Sequence, residues 1–246
     1  MRIEWQNCCI DGYDFATPVS WRHYLIKNCT GGALGIGAEV VRLCHAAGAH
    51  VFFGDVLVDA GEALARELSS DSKPHVVFVP TDVSDYQSNL RLFDTAYEKC
   101  GRVDHAASVA GVGERGNIVD SGLTLESVRQ EPKESMTVLG VNFVGPIYFS
   151  RIASVYLRQP GLDDKSSTST ADKSLTLVSS VAGFTEAPGL YVYSATKHGV
   201  YGLMRALRKS ETPECRWRSQ VLTRRPGYSS SPLDMQSEPM RSVHGE

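Results

Sequence analysis

The sequence predicts an α/β protein in which a doubly wound parallel sheet lies between two layers of helices, a three-layer αβα arrangement. From about residue 24 to residue 208, short runs rich in β-branched residues alternate with helical stretches, which is typical of a parallel sheet. A glycine-rich turn separates the first predicted strand from the first predicted helix. The 246 residues suit one large domain better than two small ones.

The predicted elements alternate along the chain. Strands are expected at residues 23–29, 49–53, 75–79, 103–109 and 175–179. Helices are expected at residues 35–47, 59–68, 86–100, 134–157 and 191–208. Gly48 is placed to end the first helix. Lys27 and Asn28 are unusual in a buried first strand, and residues 217–225 are a weak candidate for a sixth strand because they carry several arginines.

Composition argues against several classes of protein. The net charge of −3 gives no general attraction to nucleic acid or to a membrane. The sequence has no apolar run of about 18 residues and no signal-peptide core at its N-terminus, so a cytoplasmic location is expected. The 6 cysteines show no C-x-x-C spacing, so reduced thiols are expected rather than disulfides or a metal site.

The turn at residues 30–37 has the composition of a phosphate-binding loop. Gly31 and Gly35 allow the backbone to approach a pyrophosphate without Cβ clashes, and the following helix presents unpaired N–H groups. Gly37 allows that helix to pack tightly on the strand. A glycine-rich turn without a ligand is the alternative. The strand before it, the helix after it and an acidic residue farther along favour a Rossmann dinucleotide site.

Asp55 is that acidic residue. It follows the second predicted strand at the distance where the Rossmann pattern places a carboxylate on the adenosine ribose. A carboxylate there would repel a 2′-phosphate, and the adjacent Gly54 supplies no cation, so NAD is expected rather than NADP. The alternative is that Asp55 serves as a helix N-cap or an ordinary loop residue.

Three side chains form a candidate catalytic group. Tyr193 and Lys197 lie one turn apart at the start of a predicted helix, and Ser180 closes the fifth predicted strand. A free phenol has a pKa of about 10, and a nearby ammonium group is expected to stabilise its phenolate at neutral pH. A serine hydroxyl can hydrogen-bond a substrate oxygen as its charge changes. The alternatives are two surface neighbours on a helix and a serine that satisfies a turn.

In this order, the motifs resemble those of the short-chain dehydrogenase/reductase family, whose pattern is T-G-x-x-x-G-x-G, then Asn, then Ser, then Y-x-x-x-K. The resemblance implies that Tyr193 is the general acid–base and that Lys197 holds the nicotinamide ribose and tunes Tyr193. Ser180 would position and polarise the substrate oxygen. Asn142 would support a water-linked proton relay, although an ordinary polar helix residue remains an alternative for it.

The resemblance also implies which residues hold the cofactor. Asp82 matches a residue beside the adenine ring, with a helix N-cap as its alternative. The implied cofactor contacts are Thr30, Gly31, Gly35, Ile36, Gly37, Asp55, Asp82, Val83, Ala110, Gly111, Tyr193, Lys197, Pro226 and Gly227.

By this likeness, the protein would be an NAD(H)-dependent oxidoreductase that interconverts a secondary alcohol and a ketone. The details are similar to fungal secondary-metabolism members of the family, which implies a hydrophobic metabolite as the substrate. A homodimer or homotetramer, packed through the long helices, is also implied. No nucleic acid, membrane or metal partner is expected.

The resemblance divides the chain into an N-terminal extension at residues 1–22, a Rossmann-type catalytic domain at residues 23–227 and a disordered or irregular tail at residues 228–246. Residues 160–174 are rich in Ser, Thr, Asp and Lys, which favours a solvated loop. The chain ends soon after the Pro226-Gly227 turn, so its C-terminal part is expected to be atypical or truncated and the substrate site to be wet.

The chain departs from the family pattern after the fourth strand. Ser108 and Val109 stand where the family usually has two asparagines, whereas Ala110 and Gly111 keep the small residues that line the cofactor. The loss of the two amides is expected to weaken the turn without abolishing binding.

Two other classes of function remain open. A protein that binds the cofactor without redox turnover is the second interpretation, prompted by the unusual first strand and the short C-terminal part. A nucleic-acid-binding protein is the third, prompted by basic residues between 205 and 225. No aromatic platform accompanies those residues, so a solvated basic face is favoured.

Overall fold

Six parallel strands form the centre of the structure, which is a computed structural model that describes residues 26–69, 75–159, 173–208 and 216–222. The strands are β1 (Ile26–Thr30), β2 (His50–Asp55), β3 (Val76–Pro80), β4 (His105–Ser108), β5 (Ser174–Ser180) and β6 (Arg216–Leu222). They are hydrogen-bonded in the order β3-β2-β1-β4-β5-β6, and every neighbouring pair is parallel. This is the strand order of a Rossmann sheet.

Six α-helices connect these strands in the described residues. They are α1 (Gly35–Ala46), α2 (Val58–Leu68), α3 (Tyr86–Cys100), α4 (Lys133–Leu139), α5 (Gly145–Tyr156) and α6 (Tyr191–Leu207). A π turn at Gly140–Val144 joins α4 to α5, so that one helical rod runs from Lys133 to Tyr156.

The helices cover both faces of the sheet. Side chains of neighbouring strand residues point to opposite faces, and in β2 the consecutive residues Phe52 and Phe53 belong to two separate apolar cores. Phe52 packs in the larger core with residues of α3, α5 and α6, whereas Phe53 packs in the smaller core with residues of α1 and α2. The predicted three-layer Rossmann fold is therefore confirmed.

The element boundaries differ from the prediction by a few residues. The predicted sixth strand is present as β6, and Gly48 ends α1 with a φ of 85°. Ser174, expected in the polar loop, is the first residue of β5 because it pairs with His105 of β4. Residues 1–25, 70–74, 160–172, 209–215 and 223–246 lie outside the described residues, and with them Pro226, Gly227 and the start of the predicted first strand.

Asn28 is an unusual feature of β1. Its side chain is 1% exposed, and it lies in register with Phe52 and Ala106 of the neighbouring strands. Neither atom of its amide has a hydrogen-bond partner among the residues that the structure describes. Asn28 therefore suits a buried strand badly, as its residue type predicts, because buried polar groups are normally hydrogen-bonded.

By length and composition alone, the rod from Lys133 to Tyr156 is long and apolar enough to cross a membrane. However, Phe149, Ile152 and Ala153 are buried in the larger core. The core helix of a globular domain can have the same length and composition, and the packing of this rod in the core accounts for its apolar sequence.

The strand order creates a switch point between β1 and β4, at the edge of the sheet where the strands end. β1 has β2 on one side and β4 on the other, so the connections from β1 and from β4 run in opposite directions. Ligands of such sheets bind in the crevice at the carboxyl ends of the strands beside this switch point. Thr30, Asp55, Ser108 and Ser180 are the last residues of β1, β2, β4 and β5.

Candidate active site

The glycine turn has a backbone that only glycine fits. Gly31 has a φ of 69°, and a Cβ placed on it would lie 2.5 Å from the Cα of Ala110. A Cβ on Gly37 would lie 1.8 Å from the carbonyl oxygen of Gly31. The turn is therefore folded against both the start of α1 and the segment that follows β4.

The N-terminus of α1 leaves N–H donors for a ligand. Its N-cap residue, Leu34, makes no side-chain cap hydrogen bond, and the first turn contains no acidic residue. Gly35, with a φ of 57°, has open space around the position of a Cβ, and the Ile36 side chain is exposed. An uncapped helix N-terminus behind a glycine cradle is the arrangement that binds a pyrophosphate, so these residues fit a dinucleotide.

The Asp55 carboxylate is held beside the glycine turn. One carboxylate oxygen accepts a hydrogen bond from the backbone N–H of Ala33 at 3.1 Å, and the other accepts from the N–H of Leu57 at 3.0 Å. The N-cap of α2 is Leu57, so the alternative of Asp55 as a helix N-cap is wrong. The next residue, Val56, is apolar and exposed.

Asp82 and Val83 follow β3. The Asp82 carboxylate accepts from both the N–H and the hydroxyl of Ser84, at 2.9 and 2.6 Å, which fixes its direction. Val83 is buried against Gly145 at the start of α5. The N-cap of α3 is Asp85, so Asp82 is not the cap.

Lys197 lies at the centre of the site. Its side chain is 5% exposed, and its ammonium donates to the carbonyl oxygen of Val178 at 3.2 Å. Burial lowers the pKa of this ammonium from 10.5 to about 8. The ammonium also lies 5.5 Å from the centre of the Tyr193 ring. The two side chains are therefore close neighbours at the start of α6, as the sequence spacing predicts.

Gly111 brings Asn142 and Lys197 together. A Cβ on Gly111 would lie 3.4 Å from Asn142 Oδ1 and 3.5 Å from Lys197 Nζ. Because Gly111 follows Ala110, which contacts Gly31, this short segment links the glycine turn to the candidate catalytic side chains.

Asn142 is fully buried and uses both amide atoms. Its oxygen accepts from the Val112 N–H at 2.8 Å, and its nitrogen donates to the Val112 carbonyl at 2.8 Å. Asn142 lies in the π turn, where the helix is widened by one residue. It is therefore not an ordinary polar residue of a helix surface; it fixes the backbone after β4.

Ser179 and Ser180 have different partners. The Ser180 oxygen accepts from the N–H of Ala182 at 3.3 Å, so it satisfies a short turn while remaining at the end of β5. The Ser179 hydroxyl donates to the carbonyl oxygen of Lys197 at 2.8 Å. Ser179 thus joins β5 to α6, a role that the sequence analysis did not assign.

Glu114 is a residue that the sequence analysis missed. Its two carboxylate oxygens accept from the backbone N–H groups of Val192 and Tyr193, at 3.2 and 2.7 Å. No motif marks a glutamate in this loop. Its partners are distant in the sequence, so only the folded chain shows the contact.

An open cleft of about 520 Å³ lies beside the N-terminal half of α6. Its lining is mainly apolar and aromatic, with a few polar groups. The lining residues are Phe184, Thr185, Glu186, Ala187, Pro188, Leu190, Tyr191, Ser194 and His198.

The chain is similar to known proteins in both sequence and fold. The sequence model of the short chain dehydrogenase family matches residues 28–241. The chain is 36% identical over 186 residues to the 5'-hydroxyaverantin dehydrogenase of Dothistroma septosporum, a match that covers 73% of this chain and 60% of that protein. It is 30% identical over 207 residues to the NADP-dependent (R)-specific alcohol dehydrogenase of Lentilactobacillus kefiri, covering 83% of this chain and 73% of that protein.

A solved structure shows the same fold. A short-chain dehydrogenase/reductase from Burkholderia phymatum, in complex with NAD, superposes with a TM-score of 0.68 at 23% identity, covering 81% of this chain and 66% of that chain. Against three fungal relatives, this chain spans between 48% and 60% of their length.

Proposed function

Since the chain belongs to the short-chain dehydrogenase family, we propose that it is an NAD(H)-dependent oxidoreductase that interconverts a secondary alcohol and a ketone. Tyr193 is its general acid–base, assisted by Lys197, Ser180 and Asn142. One observation carries this proposal: Lys197 Nζ lies 5.5 Å from the centre of the Tyr193 ring, and both it and Asn142 Oδ1 would lie within 3.5 Å of a Cβ placed on Gly111.

The residues around the glycine turn would hold the cofactor. Gly31 and Gly35 would admit the pyrophosphate, Gly37 allows α1 to pack against the turn, and the uncapped start of α1 would donate N–H groups to the phosphates. The family resemblance implies that Asp82 and Val83 would lie beside the adenine, and Ala110 and Gly111 connect the glycine turn to Lys197. A bound nicotinamide would supply the hydride chemistry, as the acceptor in oxidation and the donor in reduction.

The protein's own side chains handle the proton. In oxidation, the Tyr193 phenolate takes the hydroxyl proton as the C–H bond breaks and the C=O bond forms; in reduction, the phenol gives the proton back. The Lys197 ammonium stabilises the phenolate form by its charge. Ser180 hydrogen-bonds the substrate oxygen, and Asn142 keeps the segment after β4 in place, so that the cofactor side of the site is fixed.

The choice of NAD rather than NADP rests on Asp55. Its carboxylate is fixed by two backbone N–H groups, and the neighbours Gly54, Val56 and Leu57 provide no cation for a 2′-phosphate. We expect kcat/KM to be about 100-fold or more higher with NAD⁺ than with NADP⁺, because like charges in an interface cost several kcal/mol. Asp55→Ala is expected to narrow that preference. Equal use of both cofactors by the wild type would contradict it.

A hydroxylated, largely apolar metabolite is the proposed substrate. The support is the apolar lining of the cleft beside α6 and a relative named as the dehydrogenase of a hydroxylated compound, 5'-hydroxyaverantin. A place in secondary metabolism, a cytoplasmic location and a homodimer or homotetramer belong to the same proposal. Light scattering measures the oligomer directly.

Tyr193→Phe tests the mechanism. We expect this variant to bind NAD⁺ like the wild type but to oxidise secondary alcohols at least about 100-fold more slowly, because general acid–base catalysis supplies about 10²–10⁴. Tyr201→Phe, on the same helix, is the matched control and is expected to keep wild-type rates. Full activity of Tyr193→Phe would refute the mechanism. NAD⁺ binding by the wild type, without turnover of any alcohol in a panel, would favour a cofactor-binding protein that does not catalyse redox chemistry.

A further inference from the structure

We propose that Glu114 is a positioning residue that holds Tyr193 in place by capping the helix on which Tyr193 lies. This inference rests on the proposed function, since it assigns Glu114 an effect on the acid–base step. Glu114 lies in the segment after β4, outside every motif that the sequence analysis identified.

The start of α6 depends on Glu114 for its cap. The N-cap residue, Leu190, has an apolar side chain that cannot accept a hydrogen bond. Glu114 supplies the missing acceptors from the other side of the site, with one carboxylate oxygen on the Val192 N–H and the other on the Tyr193 N–H. A carboxylate at this end of a helix also interacts favourably with the helix dipole.

The segment that carries Glu114 is itself held in place. Two residues before it, Val112 is hydrogen-bonded through both backbone groups to Asn142. One residue after it, the Arg115 carbonyl accepts from the Ser135 hydroxyl of α4 at 3.3 Å. With its backbone fixed on both sides, Glu114 offers its carboxylate to α6 from a defined position.

Tyr193 and Lys197 are held by different contacts. Lys197 is buried, and it is fixed through its ammonium to Val178 and through its carbonyl to the Ser179 hydroxyl. Tyr193 is only half-buried, in the first turn of α6, and Glu114 binds its backbone N–H directly. Loss of the Glu114 carboxylate would therefore shift Tyr193 while Lys197 keeps its place.

Because of this difference, a Glu114 variant is expected to have a lower kcat and an unchanged KM for NAD⁺. The family resemblance implies that Lys197 holds the nicotinamide ribose, and Lys197 keeps its own contacts, so the KM for NAD⁺ is expected to stay within about twofold in a Glu114 variant. The proton transfer through Tyr193 becomes slower, because a displacement of about 1 Å can reduce a rate about 100-fold. An ordinary capping role would lower the melting temperature and leave kcat unchanged at temperatures where the protein is folded.

The experiment compares three variants well below their melting temperatures. For Glu114→Ala we expect kcat to fall about 10- to 100-fold with an unchanged KM for NAD⁺. Glu114→Gln keeps one acceptor oxygen and is expected to recover part of kcat. Asp85→Ala is the matched control, because Asp85 caps α3 through the Ser88 N–H at 2.6 Å and contacts none of the acid–base residues. Its melting temperature is expected to fall while its kcat stays within about twofold.

The outcomes separate this inference from the proposed function. If the wild type turns over alcohols and Tyr193→Phe does not, but Glu114→Ala keeps the wild-type kcat, then the positioning role is wrong and the proposed function stands. Equal losses of kcat in Glu114→Ala and Asp85→Ala would also overturn it. If Tyr193→Phe is as active as the wild type, the proposed function itself has failed.

Discussion

Replacing Lys197 with methionine is expected to make the folded protein more stable at neutral pH while removing its proposed activity. The Lys197 side chain is 5% exposed, and burial lowers the pKa of its ammonium from 10.5 to about 8. At pH 7, folding therefore buries a charged group in surroundings that favour its neutral form. Methionine has a similar length and flexibility but no charge to desolvate.

The size and the pH dependence of this effect follow from proton binding. Below about pH 8, the ammonium is charged in both states, and the gap between its two pKa values lowers the free energy of unfolding by about 3 kcal/mol. Between about pH 8 and pH 10.5, the unfolded chain binds more protons than the folded one, so the wild type gains stability as the pH rises. By about pH 9.5 the penalty is about 1.5 kcal/mol.

The hydrogen bond from Lys197 Nζ to the Val178 carbonyl acts in the opposite direction. The variant lacks this hydrogen bond, which reduces its gain in unfolding free energy by about 1 kcal/mol at every pH. The Lys197→Met protein is therefore expected to be about 2 kcal/mol more stable than the wild type at about pH 7 and nearly equal to it at about pH 9.5.

Urea unfolding of both proteins at several pH values between about 7 and 9.5 measures this difference. Lys99→Met is the control, because Lys99 is exposed on α3, and its difference from the wild type is expected to be small and constant with pH. A Lys197→Met protein that is less stable than the wild type at pH 7 would refute the reasoning. A stability difference that does not change with pH would refute it as well.

Three further substitutions test the packing of the turn and of the first strand. Gly37→Ala is expected to abolish NAD⁺ binding in a titration and to lower the free energy of unfolding by about 3 kcal/mol or more, because its Cβ would overlap the Gly31 carbonyl oxygen. A Cβ on Gly35 would meet nothing within 4 Å, so Gly35→Ala is expected to lower the free energy of unfolding by only about 1–2 kcal/mol, the cost of a left-handed backbone for alanine. Asn28→Leu keeps the branched shape and removes an amide without partners among the described residues, so urea unfolding is expected to show a gain of about 1–3 kcal/mol. Equal losses of unfolding free energy in the two alanine variants would contradict the packing described for Gly37. A lower unfolding free energy for Asn28→Leu would contradict the cost assigned to the buried amide.

Most of the fold could be predicted from periodicity because the helices and strands are regular and their turns are marked by glycine. The helix at Tyr86–Cys100 has the bounds that its pattern predicts. The π turn at Gly140–Val144 was not predicted, since a single extra residue leaves the apolar pattern of a helix almost unchanged. Ser174 was assigned to the polar loop because composition alone does not show that it pairs with β4.

In the candidate site too, contacts between residues close in the sequence could be predicted, whereas contacts between distant segments could not. Tyr193 and Lys197 are near in the sequence, so their neighbourhood could be predicted from helical spacing. The contacts of Asn142 with Val112, and of Glu114 with the start of α6, join segments that are far apart along the chain. Such contacts depend on the packing of several elements at once, and no local pattern encodes them.

The π turn sets a limit on how the rod from Lys133 to Tyr156 can change. Each residue of an α-helix turns the chain by about 100°, so deleting one residue at the start of α5, beyond the π turn, would rotate the rest of α5 by about that angle relative to α4. Phe149 and Ile152 would then swing out of the larger core toward the solvent, while Ser135 and Val138 stayed inside. The π turn itself holds one residue more than an α-helical turn, so the loss of one residue there would leave α4 and α5 facing the core as they do now.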